Sequence, residues 1–391
     1  MTEKIQYVDL HVHGRTAAGT SKEGSIYNFA KNAARKGIGV LGTGDCLHPE
    51  WIQEIVSNLR NDKESGTWIA SNGVKFILTA EVNCVFEWKE RTRKIHHLIA
   101  FPDLEALYAA RAAMSRWSSD LDYDGRPTLK VSAFAFVEAM CKVVPDIFIM
   151  PCHIWTPWYG VFGSNGFDSL YECYGSQTKN ISCLETGISA DPGDCAKVKE
   201  VENFKVVSFS DAHSPWLNRL GRESVVMTND SPDYHDVVRM LSKGDGFVRT
   251  IEYPAELGKY HYSGHRKCGY KASPEEFGDG LCKVCHKPMT TGVVQRIGSL
   301  RSGDGAKSRK YRTLIPLKEL FESKFSSDLS NYYLDNIINK IGSEYAILEA
   351  DESKLKEACQ TEHIYDLVKR NIENKITIDP GFDGEYGEIR A

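Results

Sequence analysis

A short apolar run that ends in a polar cluster recurs along the first 216 residues, and this unit constrains the fold more than any other feature. The runs are KIQYV, IGVLGT, KFILTA, a run around residues 96–97, DIFIMP, NISCL and KVVSFS. Near-continuous apolar strands that alternate with helical stretches predict a parallel sheet covered on both faces and closed into a barrel of about seven strands. In such barrels the chemistry occurs at the carboxyl ends of the strands, where each of these clusters falls.

Composition excludes several classes of protein. With 391 residues, the chain is long enough for about two or three domains, which argues against global disorder. Hydrophobic residues make up 41% and charged residues 26%, and no apolar run approaches the length of a membrane span. The N-terminus, MTEKIQYVDLHVHG, has no apolar segment of the kind that directs export. Eleven scattered cysteines, an odd number, predict reduced thiols in a cytoplasmic protein.

Charge is distributed unevenly along the chain. The net charge is −5, but residues 259–318 contain 13 Lys and Arg and only four acids, a balance of +9. A solvated loop would explain such a stretch, and the functional interpretation is a basic surface for an anionic partner, usually nucleic acid. All seven tryptophans lie in the first 216 residues. These changes predict a catalytic barrel over 1–250, a basic domain over 258–300 and a C-terminal helical region over 313–391.

Histidines concentrate at the ends of the predicted strands. Seven of the twelve lie there with four acids, and the set is His11, His13, His48, His96, His97, His153, His213, Asp9, Asp45, Glu81 and Asp211. Side chains alternate along an extended segment, so the two imidazoles of DLHVH share one side and can hold a single ion. SDAH repeats that spacing at the last strand.

This joint pattern indicates a metal site. A single histidine is more often structural than a ligand. However, so many ionisable groups at one end of a barrel would be costly to bury unless cations compensated them. Carboxylates such as Glu81 can bridge two ions, and the mixture of imidazole and carboxylate suits Zn, Mn or Fe.

The segment 258–300, which is poor in apolar residues, contains a second metal motif. His265-x-x-Cys268 and Cys282-x-x-Cys285 are separated by 13 residues, which is typical of a structural zinc ribbon. Zinc can supply the folding free energy that apolar burial cannot provide here. A metal-free loop is the alternative, and His261 and His286 are alternative ligands. The basic residues of the two knuckles predict contacts with a DNA backbone, and they are Arg266, Lys267, Lys283 and Lys287.

Aromatic residues crowd the loop that follows His153, and such density usually marks a core. Because this loop leaves a metal-bearing strand end, the aromatics also predict the walls of a pocket for a base taken out of the stack. The residues concerned are Trp155, Trp158, Tyr159 and Phe162, of which the first three are predicted to bind the base. The glycine-rich tail GFDGEYG is a candidate to close that pocket.

Five of these motifs together resemble the polymerase and histidinol phosphatase (PHP) superfamily. They are DLHVH, GTGDCLH, the Glu81 strand, the histidine at 153 and SDAH. Within the superfamily the chain looks like the endonuclease Q family of DNA repair nucleases. That likeness runs over essentially the whole chain, in DLHVHGR, GTGDCLHP, PCHIWTPWYGVFGS, LETGISADP, SFSDAHSPWLNRLGRE, the two knuckles and PGFDGEYG. The resemblance implies an α/β fold with a distorted seven-stranded PHP barrel, an inserted zinc ribbon and a C-terminal helical region.

The resemblance also implies a trinuclear site with two or three divalent ions, which are Zn, Mn or Fe, and with Mg supporting activity. The implied ligands are His11, His13, Asp45, His48, Glu81, His97, His153, Asp211 and His213, with Glu81, His153 and Asp211 assigned to catalysis. Cys46 stands where most PHP sequences have His, so His48 takes that role. His97 is preferred to His96 because His-Leu-Ile continues like the family's strand, and Asp9 orients a ligand.

The implied activity is incision of double- or single-stranded DNA on the 5′ side of uracil, hypoxanthine, xanthine or an abasic site. The ions would polarise the phosphate and generate hydroxide. Two other functions stay open, a small-molecule phosphoesterase and a non-catalytic zinc-ribbon DNA-binding protein. The basic ribbon argues against the first and the complete ligand set against the second. No membrane partner is expected, and the ending EYGEIRA lacks the glutamine and paired aromatics of a sliding-clamp motif.

Overall fold

The computed structural model describes residues 4–181, 183–302 and 309–390. Over these ranges the protein is a mixed α/β fold built around a central mixed sheet. Asp304 and Lys307 of the basic segment lie outside them. None of the described helices is long and apolar enough to cross a lipid bilayer. All eleven cysteines are free thiols.

Most strands of the described residues are short, and the two long ones are β5 with 14 residues and β6 with 11. The strands are β1 Ile5–Asp9, β2 Ile38–Gly42, β3 Arg60–Asp62, β4 Thr67–Ile69, β5 Lys75–Trp88, β6 Arg91–Phe101, β7 Thr128–Leu129, β8 Phe148–Pro151, β9 Cys183–Glu185, β10 Lys205–Val207, β11 Ser224–Thr228, β12 Phe247–Glu252, β13 Ser263–His265, β14 Tyr270–Ala272, β15 Tyr311–Thr313, β16 Thr377–Asp379 and β17 Glu388–Arg390.

Helices lie between the strands and make up most of the C-terminal region. The α-helices are α1 Ile26–Lys36, α2 Pro49–Asn58, α3 Leu104–Met114, α4 Ala133–Val143, α5 Leu170–Tyr174, α6 Pro192–Cys195, α7 Tyr234–Lys243, α8 Val293–Leu300, α9 Leu317–Glu322, α10 Ser327–Ile341, α11 Glu352–Cys359 and α12 Glu362–Ile372. Short 3₁₀ helices cover Gly175–Asn180, Lys199–Asn203, Ala255–Leu257, Arg266–Cys268, Pro274–Glu276 and Tyr345–Glu349.

Each of the seven apolar runs contains a strand, and these strands are β1, β2, β5, β6, β8, β9 and β10. β1, β2 and β5 are parallel neighbours, while β6 pairs with β5 on one side and β8 on the other. β9 and β10 form a separate parallel pair, and Val12 bridges Ala212 just beyond β1 and β10. One residue from each of the seven strands belongs to a single buried cluster, namely Val8, Val40, Ile77, Leu98, Met150, Cys183 and Val207. The seven strands therefore face a shared interior.

The prediction of an all-parallel sheet is wrong, because β6 runs antiparallel to both of its neighbours. Lys89 and Glu90 alone join β5 to β6, and their φ angles are 47° and 61°. Positive φ at both central residues is the geometry of a tight hairpin turn that matches the twist of the flanking strands. Neither residue is the Asn, Asp or Gly usual in such turns, so the local sequence carried no signal for the hairpin.

Helix α1 shows how the helices cover the sheet. The Ser25 side chain caps its first turn by accepting a backbone hydrogen bond, and Gly37 ends it with a φ of 101°. Between these caps, Ile26, Phe29 and Ala33 recur at helical spacing and are buried in the main core. Burial of this apolar stripe holds the helix against the strands.

A buried ion pair attaches the C-terminal helical region to the rest of the molecule. Lys36 and Glu344 are 1% and 0% exposed, and Nζ lies 3.0 Å from Oε1. The same Nζ donates to the carbonyl of Leu217 at 3.1 Å. Tyr345 also donates its hydroxyl to the carbonyl of Gly221. The helical region therefore braces the loop that follows β10.

Removing one partner of this pair should cost far more stability than removing an exposed pair. Lys36→Met leaves Glu344 buried without its cation, so we expect the free energy of unfolding to fall by about 3–5 kcal/mol in urea denaturation. Arg35 provides the matched control, because it pairs with Asp335, whose side chain is 56% exposed. Arg35→Met should cost at most about 1 kcal/mol. Equal losses in the two variants would contradict a structural contribution from the buried pair.

Candidate active site

Glu81 on β5 is the centre of a polar cluster at the strand ends. Its side chain is 1% exposed, and its carboxylate lies 3.2 Å from His13 Nε2, 2.5 Å from His96 Nδ1 and 3.1 Å from His153 Nε2. His11 Nε2 lies 3.8 Å away. Burial would raise the pKa of the Glu81 carboxyl, but the surrounding imidazoles, His96 first, hold that pKa well below its usual range. Four imidazoles therefore surround one ionised carboxylate.

Two further carboxylates orient the His-x-His pair. Glu185 Oε1 is 2.9 Å from His11 Nδ1, and Asp45 Oδ1 is 3.1 Å from His13 Nδ1. The Nε2 atoms of both rings face Asp211, whose Oδ1 lies 3.6 Å from the first and 3.3 Å from the second. A carboxylate on the far ring nitrogen fixes the tautomer of a metal-binding histidine and raises its basicity. The pair is therefore preorganised to present both Nε2 atoms.

The backbone is strained at three residues of this cluster. Asp45, His153 and Asp211 have φ angles of 48°, 29° and 46°. A left-handed conformation at a residue other than glycine costs about 1–3 kcal/mol and is concentrated at functional sites. Each of the three comes shortly after a strand, where the chain turns across the end of the sheet.

The donor atoms of the cluster fit divalent cations. Nε2 of His11, Nε2 of His13 and Oδ1 of Asp211 are buried and have no hydrogen-bond partner. Buried polar atoms without partners are costly, and bound cations would satisfy them. Ligand atoms lie within 4.8 Å of one another in three overlapping triads, which are His11, His13 and Asp211; Glu81, His96 and His153; and His11, Glu81 and Cys152. Imidazole and carboxylate donors of this kind suit Zn, Mn or Fe.

The structure places His96, and not the expected His97, beside Glu81. His96 pairs with Asn83, two residues from Glu81, so these side chains share one face of the hairpin. His97 faces the other side, where its Nε2 lies 2.8 Å from the Tyr174 hydroxyl. Burial lowers the pKa of His96 to about 4 and that of His97 to about 3, and the Glu81 carboxylate opposes the shift of both rings. The geometry therefore favours His96 over His97 as a ligand, because the strand register, and not the sequence around it, decides which ring faces Glu81.

Other predicted ligands lie at the margin of the cluster. Asp45 contacts His13 and belongs to none of the three triads. His213 is 36% exposed, and its Nδ1 lies 3.0 Å from the Asp211 carbonyl oxygen. His48 is buried at the start of α2, and among the described residues no contact joins it to Glu81.

Asp9 supports the segment that carries two of the predicted ligands. Its carboxylate is fully buried and accepts the backbone N–H groups of Ser210 at 3.0 Å and Gly221 at 3.1 Å. Burial raises the pKa of Asp9 to about 6, although these hydrogen bonds oppose the shift. Asp9 thus braces both ends of the loop between β10 and β11, and the orienting role predicted for it stays a prediction.

Sequence reasoning missed several residues of the site. Arg126 Nη1 lies 3.3 Å from Glu81 Oε2. Arg222 is 4% exposed and donates from Nε to the Ser210 carbonyl at 2.8 Å. Glu185 ends one of the apolar runs and Arg222 lies in the segment SFSDAHSPWLNRLGRE, which were usable signals, whereas Arg126 lies in a loop without a recognisable pattern.

A cavity of about 560 Å³ opens over the cluster, and His96, His153 and Asp211 form part of its wall. The rest of the wall contains four cations, Arg126, Arg219, Arg222 and Lys259. Tyrosines from three separate segments also line it, namely Tyr159, Tyr260 and Tyr386. The cavity therefore combines metal-binding groups, positive charge and aromatic surface.

Of the four aromatic residues predicted to form the pocket, Trp155 and Tyr159 line this cavity, whereas Trp158 and Phe162 are not among its lining residues. Trp155 is 1% exposed, its indole N–H donates to Cys195 Sγ at 3.2 Å, and its ring stacks on Phe162. Most of its surface thus belongs to the core. Trp158 is 40% exposed and packs against Tyr260, with ring centroids 5.7 Å apart.

The two knuckles of the ribbon come together around a second set of donor atoms. The ligand atoms of His265, Cys268, Cys282 and Cys285 lie within 4.8 Å of one another. His265 Nδ1 is 3.2 Å from Cys268 Sγ and 3.3 Å from Cys285 Sγ. Three sulfurs and one imidazole suit a tetrahedral zinc ion. The buried hydrophobic cluster around them contains Ala272, Cys282 and Met289, too few to fold the region alone.

The alternative ligands lie outside this group. His261 Nδ1 lies 3.3 Å from the Ser189 carbonyl oxygen, and His286 is exposed. The four basic residues of the knuckles are also exposed, and none of them forms an ion pair with another described residue. They are Arg266, Lys267, Lys283 and Lys287.

The whole chain superposes on solved structures of one family. A crystal structure of the lesion-specific endonuclease PfuEndoQ from Pyrococcus furiosus is 30% identical, with a TM-score of 0.87 over 99% of this chain and 95% of that chain. This chain belongs to the endonuclease Q family. A structure of endonuclease Q with a 27-mer duplex substrate, which carries an abasic lesion at the active site, is also 30% identical. Its TM-score is 0.88 over 99% of this chain and 96% of that chain.

Two further proteins are similar in sequence to this endonuclease Q chain. YqxK of Bacillus subtilis is 27% identical over 411 residues, which cover 98% of this chain and 99% of YqxK. MJ0043 of Methanocaldococcus jannaschii is 31% identical over 170 residues, which cover 43% of this chain but 19% of that longer protein. No protein-family model matches the chain.

The opposite orientations of His96 and His97 predict different losses in their alanine variants. Removing a ligand should weaken metal binding at least as much as removing a hydrogen-bond partner of a ligand, about 10–100-fold. We therefore expect His96→Ala to lose affinity for one divalent ion in calorimetric titration. His97→Ala should keep that affinity and melt at a lower temperature, because it leaves a cavity beside Tyr174. Loss of metal affinity in His97→Ala, with unchanged affinity in His96→Ala, would instead identify His97 as the ligand.

Replacing Cys282 and Cys285 by Ser should release one zinc per chain, because thiolate ligation takes the place of a hydrophobic core in this region. Metal analysis of the purified protein measures the loss, and hydrogen exchange over 258–300 reports the accompanying destabilisation. Cys183→Ser is the matched control, since Cys183 is fully buried but belongs to neither set of donor atoms. An unchanged zinc content in the double variant would show that Cys282 and Cys285 do not bind zinc.

Proposed function

We propose that this chain is a metal-dependent, lesion-specific endodeoxyribonuclease. The observation that carries the proposal is the convergence of buried, unpaired imidazole and carboxylate atoms beside a cavity with basic walls. Divalent ions favour hydrolysis of phosphate esters, and basic walls favour a polyanion. Membership of the endonuclease Q family supports the same function, since one solved relative is a lesion-specific endonuclease and another structure contains a lesion-bearing duplex.

Two metal positions follow from the donor atoms. His11, His13 and Asp211 would hold one ion and His96 and His153 another, and the Glu81 carboxylate lies near donor atoms of both groups. A third ion would draw on Asp45, His48 or His213. Bound divalent ions would polarise the scissile phosphate and provide hydroxide at neutral pH. The catalytic assignment is to Glu81, His153 and Asp211, while Glu185 and Asp45 hold the imidazole rings in the required tautomer.

We further propose that the fold is a distorted, closed PHP barrel of seven strands. The single buried cluster shared by all seven strands supports closure, as does the bridge between Val12 and Ala212 beyond β1 and β10. The barrel would occupy 1–250, a zinc-ribbon DNA-binding domain 258–300 and the helical region 313–391. The exposed cations of the ribbon would bind DNA phosphates.

The proposed substrate is DNA with uracil, hypoxanthine, xanthine or an abasic site, cut on the 5′ side of the lesion. A cavity of about 560 Å³ has the size of a small-molecule site, and an extruded nucleotide would enter it. Tyr159 is the predicted aromatic that supports this step best, because its ring lies 4.4 Å from His96 and lines the cavity. Extrusion would bring the adjacent phosphate to the metal-binding groups.

The test is cleavage of labelled duplexes that contain one uracil, one hypoxanthine, one abasic site or no lesion. We expect a cut on the 5′ side of each lesion and an intact control duplex. Asp211→Asn and His153→Ala should reduce cleavage to background while leaving the melting temperature and DNA binding nearly unchanged, since both side chains lie at the cavity wall. Asp335→Asn on α10 is the matched control, and its cleavage rate should equal that of wild type.

Each alternative function predicts a different outcome of this experiment. A small-molecule phosphoesterase would hydrolyse nucleotide or sugar phosphates and leave every duplex intact. A non-catalytic ribbon protein would bind the duplexes without cleaving them, with or without added divalent metal. Near-normal turnover by either site variant would exclude hydrolysis at the metal cluster.

A further inference from the structure

The C-terminal tail, defined as residues 380–387, is held against the segment that precedes the ribbon. The Gly381 N–H donates to the carbonyl of Glu256 at 2.8 Å, and the Gly387 N–H donates to that of Leu257 at 3.0 Å. A Cβ on residue 387 would meet the Glu256 oxygen at 2.4 Å, so the approach requires glycine. The glycines of this motif thus allow the tail to lie flat on its neighbour.

Asp383 fixes the middle of the tail to the ribbon. Its Oδ2 accepts the backbone N–H of Arg266 at 2.6 Å, and its Oδ1 accepts the hydroxyl of Thr290 at 2.5 Å. Arg266 directly follows the predicted zinc ligand His265. Phe382 packs closely enough on Gly264 that a Cβ there would meet its ring at 2.3 Å. The tail and the ribbon therefore form one packed unit.

Three residues beyond Asp383, Tyr386 reaches the wall of the cavity. The Arg219 guanidinium lies 5.1 Å from its ring centroid, and Lys259 Nζ lies 6.0 Å from it. Both cations line the same cavity. Arg219 is oriented by Glu319, 3.2 Å away, whereas Lys259 forms no ion pair with another described residue. We call Arg219, Lys259 and Tyr386 the tail corner.

The tail corner is separate from the metal-binding groups but connected to them. None of the three metal triads of the described residues includes any of its members. Arg222 is close to both, since its Nη2 donates to the Asp211 carbonyl at 3.4 Å and its guanidinium interacts with the Tyr386 side chain. An anion bound at the tail corner would thus contact cations and a hydroxyl that are not among the candidate metal ligands.

We propose that the tail corner is a second phosphate subsite, which binds a phosphodiester of the DNA strand next to the one that is cleaved. The proposal rests on the proposed function for the identity of the strand. Guanidinium, ammonium and phenol groups are the donors that phosphate oxygens accept, and charge-assisted contacts of this kind are the strong ones. Because Asp383 holds the tail to the ribbon, the subsite has a fixed position relative to the ribbon's DNA-binding face.

The test replaces single phosphates near an abasic site by uncharged methylphosphonates and measures binding of each duplex by fluorescence anisotropy. In the wild-type protein, one position should lose about tenfold or more in affinity, as expected for a charge-assisted contact. In Arg219→Gln and in Lys259→Gln, the same replacement should cause a clearly smaller loss, because each variant already lacks one of the two cations. Arg239→Gln on α7 is the matched control, because its exposed side chain pairs with Asp236 far along the chain from the tail.

Tyr386→Leu tests the contribution of the tail itself. We expect it to raise KM for lesion cleavage by about fivefold or more while kcat stays within about threefold, because the subsite positions the strand and does not react. If every methylphosphonate replacement costs the tail-corner variants as much affinity as it costs the wild-type protein, the proposal is wrong. If inorganic phosphate inhibits the enzyme but no DNA phosphate position is sensitive to the variants, the tail corner binds free phosphate and not the DNA strand. Binding does not require cleavage, so failure of the nuclease proposal would be seen separately as intact lesion duplexes.

Discussion

The buried carboxylate of Glu81 is the constraint on which the rest of the site depends. An ionised carboxylate in the interior costs several kcal/mol unless opposite charge or hydrogen-bond donors compensate it. Four imidazoles and Arg126 surround it, and they come from strand ends and loops far apart in the chain. A fold that brings these segments to one end of the sheet is therefore required both for stability and for binding cations.

Support for this arrangement comes from outside the strands. Asp9 and the buried pair of Lys36 and Glu344 hold the loop after β10, which carries Asp211 and His213. Through this pair the C-terminal helices contribute to the geometry of the cluster without touching it. The tail and the segment that begins the 258–300 region add Lys259, Tyr260 and Tyr386 to the wall of the cavity. Regions of the chain outside the central sheet therefore line the cavity or hold the loops that line it.

Much of this organisation was predictable from local sequence. The apolar runs predicted seven strands, and the structure contains a strand in each of them. The His-x-His spacing of DLHVH and the two knuckles predicted which donor atoms come together. The parallel direction of β6 was wrong, and the structure places His96 instead of the predicted His97 beside Glu81. The direction of β6 and the side to which each histidine points both follow from the hairpin at Lys89 and Glu90. The residue types in this turn predict neither its conformation nor the register of the two strands.

The sequence by itself determined the types of donor atom and their short-range spacing, because alternation along a strand and the reach of a knuckle are properties of a few neighbouring residues. Only the tertiary structure decided which partners those donors have. Glu185 orients His11 across 174 residues of sequence, and Asp383 reaches Arg266 across 117. Such contacts depend on how the strands pair and where the tail returns, and these follow from packing of the whole chain and not from any local pattern.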